Sequence, residues 1–381
     1  MGTRAIKRLL LLGGGHAHVH VLQALARHPL VETAVTLVTP HPRQLYSGMV
    51  PGLVAGHYAI DQCVIPLAPL AARAGVQLLL GSACGIDAAA RSVTLADGQR
   101  LPFSVLSIDT GPVMDRDAIA GAREHAVFVR PIEGLAHAWE GFLARARAAD
   151  EPAGQPRDAR VAEPMRVVVV GGGAAGVELA LAMQHRLQQR ARITLLTGGP
   201  PVLQGHADTV QRRVRRALQR SRVQVVEDSC SRIDADHLQT GSGERIGCDA
   251  AVLAIGASAP GWLRGSGLQL DPRGFIATGP TLQSVSHPDV FAAGDVSARS
   301  DVSLAKSGVY AGRAGPPLAA NLRRHIEGRP LRGFLPQRRT LNLLACGERY
   351  AIASWGGWSV EGRWVWRWKD RIDQGFIARF R

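Results

Sequence analysis

Two glycine clusters carry the strongest chemical signal in the chain. Gly171, Gly173 and Gly176 stand in the order G-x-G-x-x-G, with Ala174 and Ala175 inside the motif and Glu178 two residues beyond it. Gly13-Gly14-Gly15 opens a second cluster, followed by His16, Ala17 and His18. Glycines at this spacing let backbone N–H groups approach a bulky anion, and a helix that starts on the turn adds a favourable dipole. The anion such a turn suits is the diphosphate of a dinucleotide. The third glycine of the pattern normally lets the helix lie close against the strand. In the first cluster that place is taken by His18, which implies a wider approach or a ring turned toward the ligand. Packing or hydrogen bonding near the phosphates is the role expected of it.

Other candidate groups are weaker. His16 and His20 stand at i, i+4, a spacing that can face a metal, but packing or hydrogen bonding is the simpler expectation and no metal is called. The five cysteines, Cys63, Cys84, Cys230, Cys248 and Cys346, include no C-x-x-C and no C-x-x-x-x-C pair. That argues for reduced, buried thiols and against zinc or a dithiol redox centre. Both clusters also lack the acidic residue that would hold a ribose 2′-OH at the end of the second strand. Thr39 and Thr197 occupy those places. NADH and NADPH therefore both remain open, and Arg192 or Arg212 could meet a 2′-phosphate.

The elements that must position these residues repeat. Arg8–Leu12 is a short apolar strand running into the first turn. Val19, Leu22, Leu25 and Ala26 then mark one face of a helix, and Val35–Val38 a second buried strand. Val167–Val170 is a β-branched strand before the second turn. A helix runs from there to about Gln189, and Ile193–Leu196 is the next strand. This duplicated strand–turn–helix–strand unit predicts two nucleotide-binding modules. Arg147–Pro164, rich in Ala, Asp, Pro and Arg, reads as a solvated linker. Val210, Val214 and Leu218 mark an amphipathic helix whose arginines form its solvated face. Near the end, Trp364, Trp366 and Trp368 alternate with Val365, Arg367 and Lys369, which predicts a strand. That strand packs against the rest or, with Trp355 and Trp358, forms a membrane-surface patch.

Bulk properties bound the answer. The 381 residues suit two or three domains. No apolar run reaches the roughly 18 residues of a spanning helix, so a cytoplasmic protein, or one peripheral to the membrane, is expected. The formal charge of +14 comes almost entirely from arginine. No basic-aromatic motif accompanies it, and no nucleic-acid role is expected.

Five blocks together resemble the pyridine nucleotide-disulfide oxidoreductase superfamily: Gly13–His18, Leu106–Gly111, Gly171–Glu178, Val252–Gly256 and Val290–Asp295. The missing cysteine pair is similar to type II NADH dehydrogenases and sulfide:quinone oxidoreductases. The segments Gly13–His20, Tyr46–Gly52 and Trp364–Asp370 further resemble the flavoprotein domain fused ahead of selenide, water dikinase, which shares the departures at His18 and Thr39. The resemblance implies an α/β fold of two Rossmann-like domains and a small C-terminal α+β domain. The expected boundaries are 1–115 and 263–330 for an FAD domain, 116–262 for an NAD(P) domain and 331–381 for the C-terminal part.

It implies FAD contacts at Gly13, Gly14, Gly15, His16, Ala17, His18, Thr39, Arg43, Pro51, Ala83, Thr110, Gly111, Gly294, Asp295, Lys306 and Gly308. Tyr46–Pro51 would lie near the isoalloxazine ring, and Lys306 would tune the flavin above a helix start. NAD(P) contacts fall on Gly171, Gly173, Ala174, Ala175, Gly176, Glu178, Thr197 and Gly256. The implied activity is transfer of electrons from NADH or NADPH through FAD to an acceptor, a quinone being foremost. One alternative is sulfide or selenide oxidation, for which Cys346 is the one cysteine near the region. Another is a low-turnover redox protein partnered with selenide, water dikinase. The acceptor and dimerisation stay open.

Overall fold

The computed structural model describes residues 6–148 and 163–381. Most of the expected linker at 147–164 lies outside the described residues. Two five-stranded parallel sheets dominate the fold, and they follow one plan. The first contains β1 (Lys7–Leu12), β2 (Thr33–Thr39), β3 (Gln77–Leu80) and β4 (Val105–Ile108), with a strand from far along the chain, Val290–Ala292. Its spatial order is Val290–Ala292, β4, β1, β2, β3. The second contains β5 (Ala126–Phe128), β6 (Met165–Val170), β7 (Ala191–Leu196), β8 (Gln224–Val226) and β9 (Ala250–Leu253), in the order β5, β9, β6, β7, β8. β1 and β6 hold the same central place. Each leads through a glycine turn into a helix, α1 (His16–Arg27) or α2 (Ala174–Leu187). The duplicated α/β plan expected from the sequence is present.

Burial explains why these strands form continuous apolar runs. Leu9–Leu12 and Val167–Val170 are at most 4% exposed. Parallel strands covered by helices on both faces need no polar alternation. Each such side chain contributes about 1.5–3 kcal/mol to folding. The second helix ends at Leu187, two residues before the expected stop, because Gln188 turns to a φ of 52°. The stripe Val210, Val214 and Leu218 is buried on α3 (Asp208–Arg220) as expected. Its arginines are not all a solvated face. Arg213 donates to the Glu361 carboxylate at 2.6 Å and to the Ser359 hydroxyl at 3.1 Å, and Arg216 reaches the same carboxylate at 3.4 Å. The C-terminal hairpin has come down on that helix.

After α4 (Gly308–Ile326), three antiparallel strands follow: β10 (Leu341–Ala345), β11 (Ala351–Trp355) and β12 (Trp358–Gly362). The strand expected over Trp364–Lys369 is instead the start of a helix, α5 (Arg363–Ala378). The alternating tryptophans hid a period near four. Val365, Lys369, Asp373 and Ile377 point inward, while Trp364 and Trp368 stack one turn apart on the outside, with ring centroids 6.4 Å apart. The inward polar pair is satisfied internally. The Lys369 ammonium donates to the Asp373 carboxylate at 2.5 Å and to the Gly48 carbonyl at 2.6 Å. No helix among the described residues is long and apolar enough to cross a membrane.

Removing one member of a buried ion pair strands the other. Lys369→Ala is expected to lower the unfolding free energy by about 3–5 kcal/mol, against less than about 1 kcal/mol for Trp364→Ala on the outer face. Urea denaturation of the two variants checks this; equal losses would contradict it.

Candidate functional site

The two glycine turns solve one steric problem differently. In the second module, a Cβ on Gly176 would sit 1.9 Å from the Gly171 carbonyl oxygen. Only glycine fits there. In the first module the equivalent carbonyl belongs to Gly13, and His18 meets it. The His18 Nδ1 lies 2.6 Å from the Gly13 oxygen and its Nε2 2.8 Å from the Ser107 hydroxyl on β4. The ring is therefore not turned toward a ligand. It is fully buried between α1 and the sheet, and burial pushes its pKa down to about 4. Since a carbonyl can only accept, Nδ1 carries the proton and Nε2 accepts from Ser107.

A second difference concerns the helix starts. At α2 no side chain caps the first turn, and a Cβ on Gly173 would meet nothing. Among the described residues no side chain accepts from the N–H groups of Ala174 and Ala175, as an anion site requires. Just past the end of β7, the Thr197 hydroxyl is buried with no partner among the described residues, and Gly256 is also uncrowded. Glu178 instead accepts from the Ala345 N–H at 2.7 Å, tying α2 to β10, and burial pushes its carboxyl up to about 7. At α1 the Asp109 carboxylate accepts from the N–H groups of Ala17 at 2.7 Å and His18 at 3.0 Å. Complete burial pushes Asp109 up to about 8.

Above the first turn lies a cavity of about 390 Å³. Gly13, Gly14, Gly15, His16, Thr39, Arg43, Ala83, Thr110, Gly111, Asp295 and Gly308 line it, with Gly308 at the start of α4. Ala17 and His18 lie beneath the turn. Pro51 is buried in the short helix Val50–Val54. Gly294 and Lys306 line an adjoining cavity of about 610 Å³ that shares Asp295 and Ala311 with the first. The Lys306 ammonium donates to the Ser297 carbonyl and sits 3.8 Å above the Phe275 ring. Desolvation brings its pKa down to about 8. Sequence reading missed Gln44, Asp109, Arg130 and Trp262 in this region. Only Asp109 left a signal, as the acid inside Ile108-Asp109-Thr110-Gly111.

The segment Tyr46–Met49 closes one side. Tyr46 stacks on Phe376 of α5 at 4.6 Å and lies 5.4 Å from His16. Its N–H donates to the Cys63 carbonyl at 2.8 Å. So Cys63, rather than Cys346, is the cysteine behind this segment. Both thiols are pushed up to about 12 by burial, and no described cysteine is disulfide-bonded. No cluster of metal-ligating side chains occurs among the described residues.

Comparison with known proteins fits this arrangement. The family model for pyridine nucleotide-disulphide oxidoreductases matches residues 7–320. The chain belongs to that family. It is similar to the demethylphylloquinone reductase NdbB of Synechocystis, 25% identical over 376 residues, covering 94% of this chain and 89% of that protein. In fold it is similar to the sulfide:quinone oxidoreductase of Aquifex aeolicus, with a TM-score of 0.79, 18% identity and coverage of 98% and 91% of the two chains. It also matches NDH2 of Plasmodium falciparum solved with NADH, with a TM-score of 0.76, 13% identity and coverage of 98% and 97%. As a member of the pyridine nucleotide-disulphide oxidoreductases, the chain is an oxidoreductase that works with FAD and NAD(P)H.

The cavity fits a dinucleotide in chemistry as well as place. His16 Nε2 and Gln44 Oε1 border it as buried polar atoms with no partner among the described residues. Burial first, then the charge of Arg130, pushes His16 down to about 4, so it is neutral. These two uncharged polar groups suit a hydroxyl-rich ligand.

The His18 bridge makes two expectations. His18→Ala should lower apo-protein stability by about 2–4 kcal/mol, since the Gly13 carbonyl and Ser107 lose their partner. The histidine is depressed in the folded state, so its contribution is present above its unfolded value of 6.5 and is lost as pH falls through about 4. His18→Gln should flatten the pH dependence of stability in that window; an unchanged slope in urea titrations would refute the neutral buried ring.

Proposed function

We propose that the first module holds FAD, the second receives NADH or NADPH, and the acceptor of the electrons is a quinone. The observation that carries the cofactor assignment is the pair of glycine turns on one duplicated plan. One opens into a cavity of about 390 Å³ between several elements and the other into an exposed helix start. A resident cofactor suits the first and an exchanging one the second. The quinone rests on the relatives, since NdbB is named for reducing one.

The cofactors supply the hydride and electron chemistry. The chain supplies position and charge. Asp295 is 8% exposed at the cavity wall and would accept hydrogen bonds from the ribityl hydroxyls. The first turn of α4 starts at Gly308 on the cavity with no side-chain cap from Ser307, and its N–H groups would stabilise negative charge on a flavin held there. Tyr46–Met49, held by α5, would set the distance on the other edge. Sulfide oxidation is the second reading, supported by the fold likeness to the sulfide:quinone oxidoreductase; burial raises the Cys63 and Cys346 thiols, so a persulfide route through either would need that thiol activated.

A quinone lives in lipid, and the outer face of the C-terminal part suits a lipid surface. Trp355, Trp358, Trp364 and Trp368 are 56%, 80%, 55% and 41% exposed. Arg363, Arg367 and Arg371 share α5 with the last two. Tryptophan and arginine together match the headgroup region.

Stopped-flow mixing of flavin-loaded protein with NADH and NADPH should bleach the flavin with at least one of them. Short-chain quinone should then restore the colour faster than oxygen does. Failure of both nucleotides to bleach it would end this reading. Flotation with anionic vesicles should carry the full chain upward, and Trp355→Ala with Trp358→Ala should weaken that binding. A chain that stays at the bottom with vesicles would remove the lipid surface from the proposal.

A further inference from the structure

The seam between the two modules holds an apolar cavity with no part in the cofactor chemistry described above. Its volume is about 400 Å³, within the roughly 300–1,000 Å³ of small-ligand pockets, which favour domain interfaces. Leu45 and Ile132 stand in its wall and in that of the cavity above the first glycine turn, and so divide the two. The first module supplies Val50, Leu53 and Val54 from the short helix Val50–Val54. The second supplies the helix Ile132–Ala148, which follows β5. Ile132, Leu135, Ala136, Trp139 and Leu143 line the cavity at i, i+3, i+4, i+7 and i+11, a single helical face. Two apolar faces turned toward each other normally close to crystal-like density. Here Leu53, Ile132, Ala136 and Leu143 stay half-buried, which leaves room for an apolar guest.

The rim is polar, and two of its groups are already engaged. His57 Nε2 lies 2.8 Å from the Gly347 carbonyl, and the Tyr58 hydroxyl donates to the Asp370 carboxylate at 2.7 Å. Arg186, near the end of α2, differs. Its guanidinium lies against Gly56, where a Cβ would sit 2.7 Å from Nη1. The residue is exposed, and among the described residues it has no ion-pair or hydrogen-bond partner. Glu140, on the facing helix, also lines the cavity and does not pair with it. An exposed cation at the mouth of an apolar cavity matches a carboxylate head on a single hydrocarbon tail. The head meets the guanidinium within reach of water, and the tail supplies the apolar contacts missing inside. An uncharged quinone would leave the cation unused.

We propose that this seam binds a fatty-acid-like amphiphile, with its tail between the helices Val50–Val54 and Ile132–Ala148 and its carboxylate on Arg186. Both modules touch the tail, so the bound molecule ties one to the other. Nothing in this site depends on the electron acceptor or on which nicotinamide nucleotide binds.

The test is calorimetric titration of the full-length protein with straight-chain carboxylates from octanoate to laurate, kept below micelle formation. Affinity should rise about three- to fourfold per added methylene until the cavity is full. Arg186→Gln should weaken decanoate about three- to tenfold and leave decanol unchanged. Ala136→Phe fills the cavity from the helix wall and should weaken both about tenfold or more. Laurate should raise the melting temperature of the wild type and not that of Ala136→Phe. No binding by any chain, or an affinity that does not grow with chain length, overturns the proposal. Decanol bound as tightly as decanoate, with Arg186→Gln equal to wild type, overturns the carboxylate. If Ala136→Phe does not fold, the chain-length series on the wild type and the exposed Arg186→Gln variant still decide.

Discussion

One backbone carbonyl, at the first glycine of each turn, sets the terms for the rest. It points at the helix that follows, and whatever stands five residues later must accommodate it. Gly176 does so with empty space. His18 does so by offering a hydrogen. The second solution needs further partners, because a buried imidazole has another nitrogen to satisfy. Ser107 supplies that partner on β4. Two residues along the same strand exit, Asp109 takes the helix donors. Gly15 must then be glycine for a new reason, since a Cβ there would sit 2.4 Å from the Asp109 carboxyl carbon. A single exchange at one position thus carries a linked set with it.

The C-terminal part is bound to the same site from the other side. Lys369 donates to the Gly48 carbonyl, Tyr46 stacks on Phe376, and Tyr58 donates to the Asp370 carboxylate at 2.7 Å. Glu178 ties α2 to β10, and Arg213 ties α3 to β12. The short last segment therefore touches both nucleotide modules through buried or half-buried polar bonds. Such bonds fix orientation more than they add stability.

What could be read from the residues follows a physical line. Contiguous features were legible: the four-leucine and four-valine strands, the duplicated turns, and the stripe on α3. Each is a local pattern whose period or apolar length decides its conformation. The cavity residues Arg43, Ala83, Asp295 and Gly308 were legible only through likeness to a family, because they meet across hundreds of residues of chain. Trp364–Lys369 misled because the bulky residues alternate while the buried ones recur every four. His18 misled because its partners, Gly13 and Ser107, are set by pairing of β1 with β4. Arg130 was invisible for the same reason: nothing near it in sequence shows that β5 ends over the other module.

The two faces of α5 give the molecule a lever. Its outside presents tryptophan and its inside holds the Gly48 carbonyl through one ammonium. A helix is stiff over its length, so a tilt of a few degrees imposed on its outer face is delivered to the Gly48 loop beside the cavity rather than absorbed on the way. The outer tryptophans and the wall of the cavity are thereby put in mechanical series.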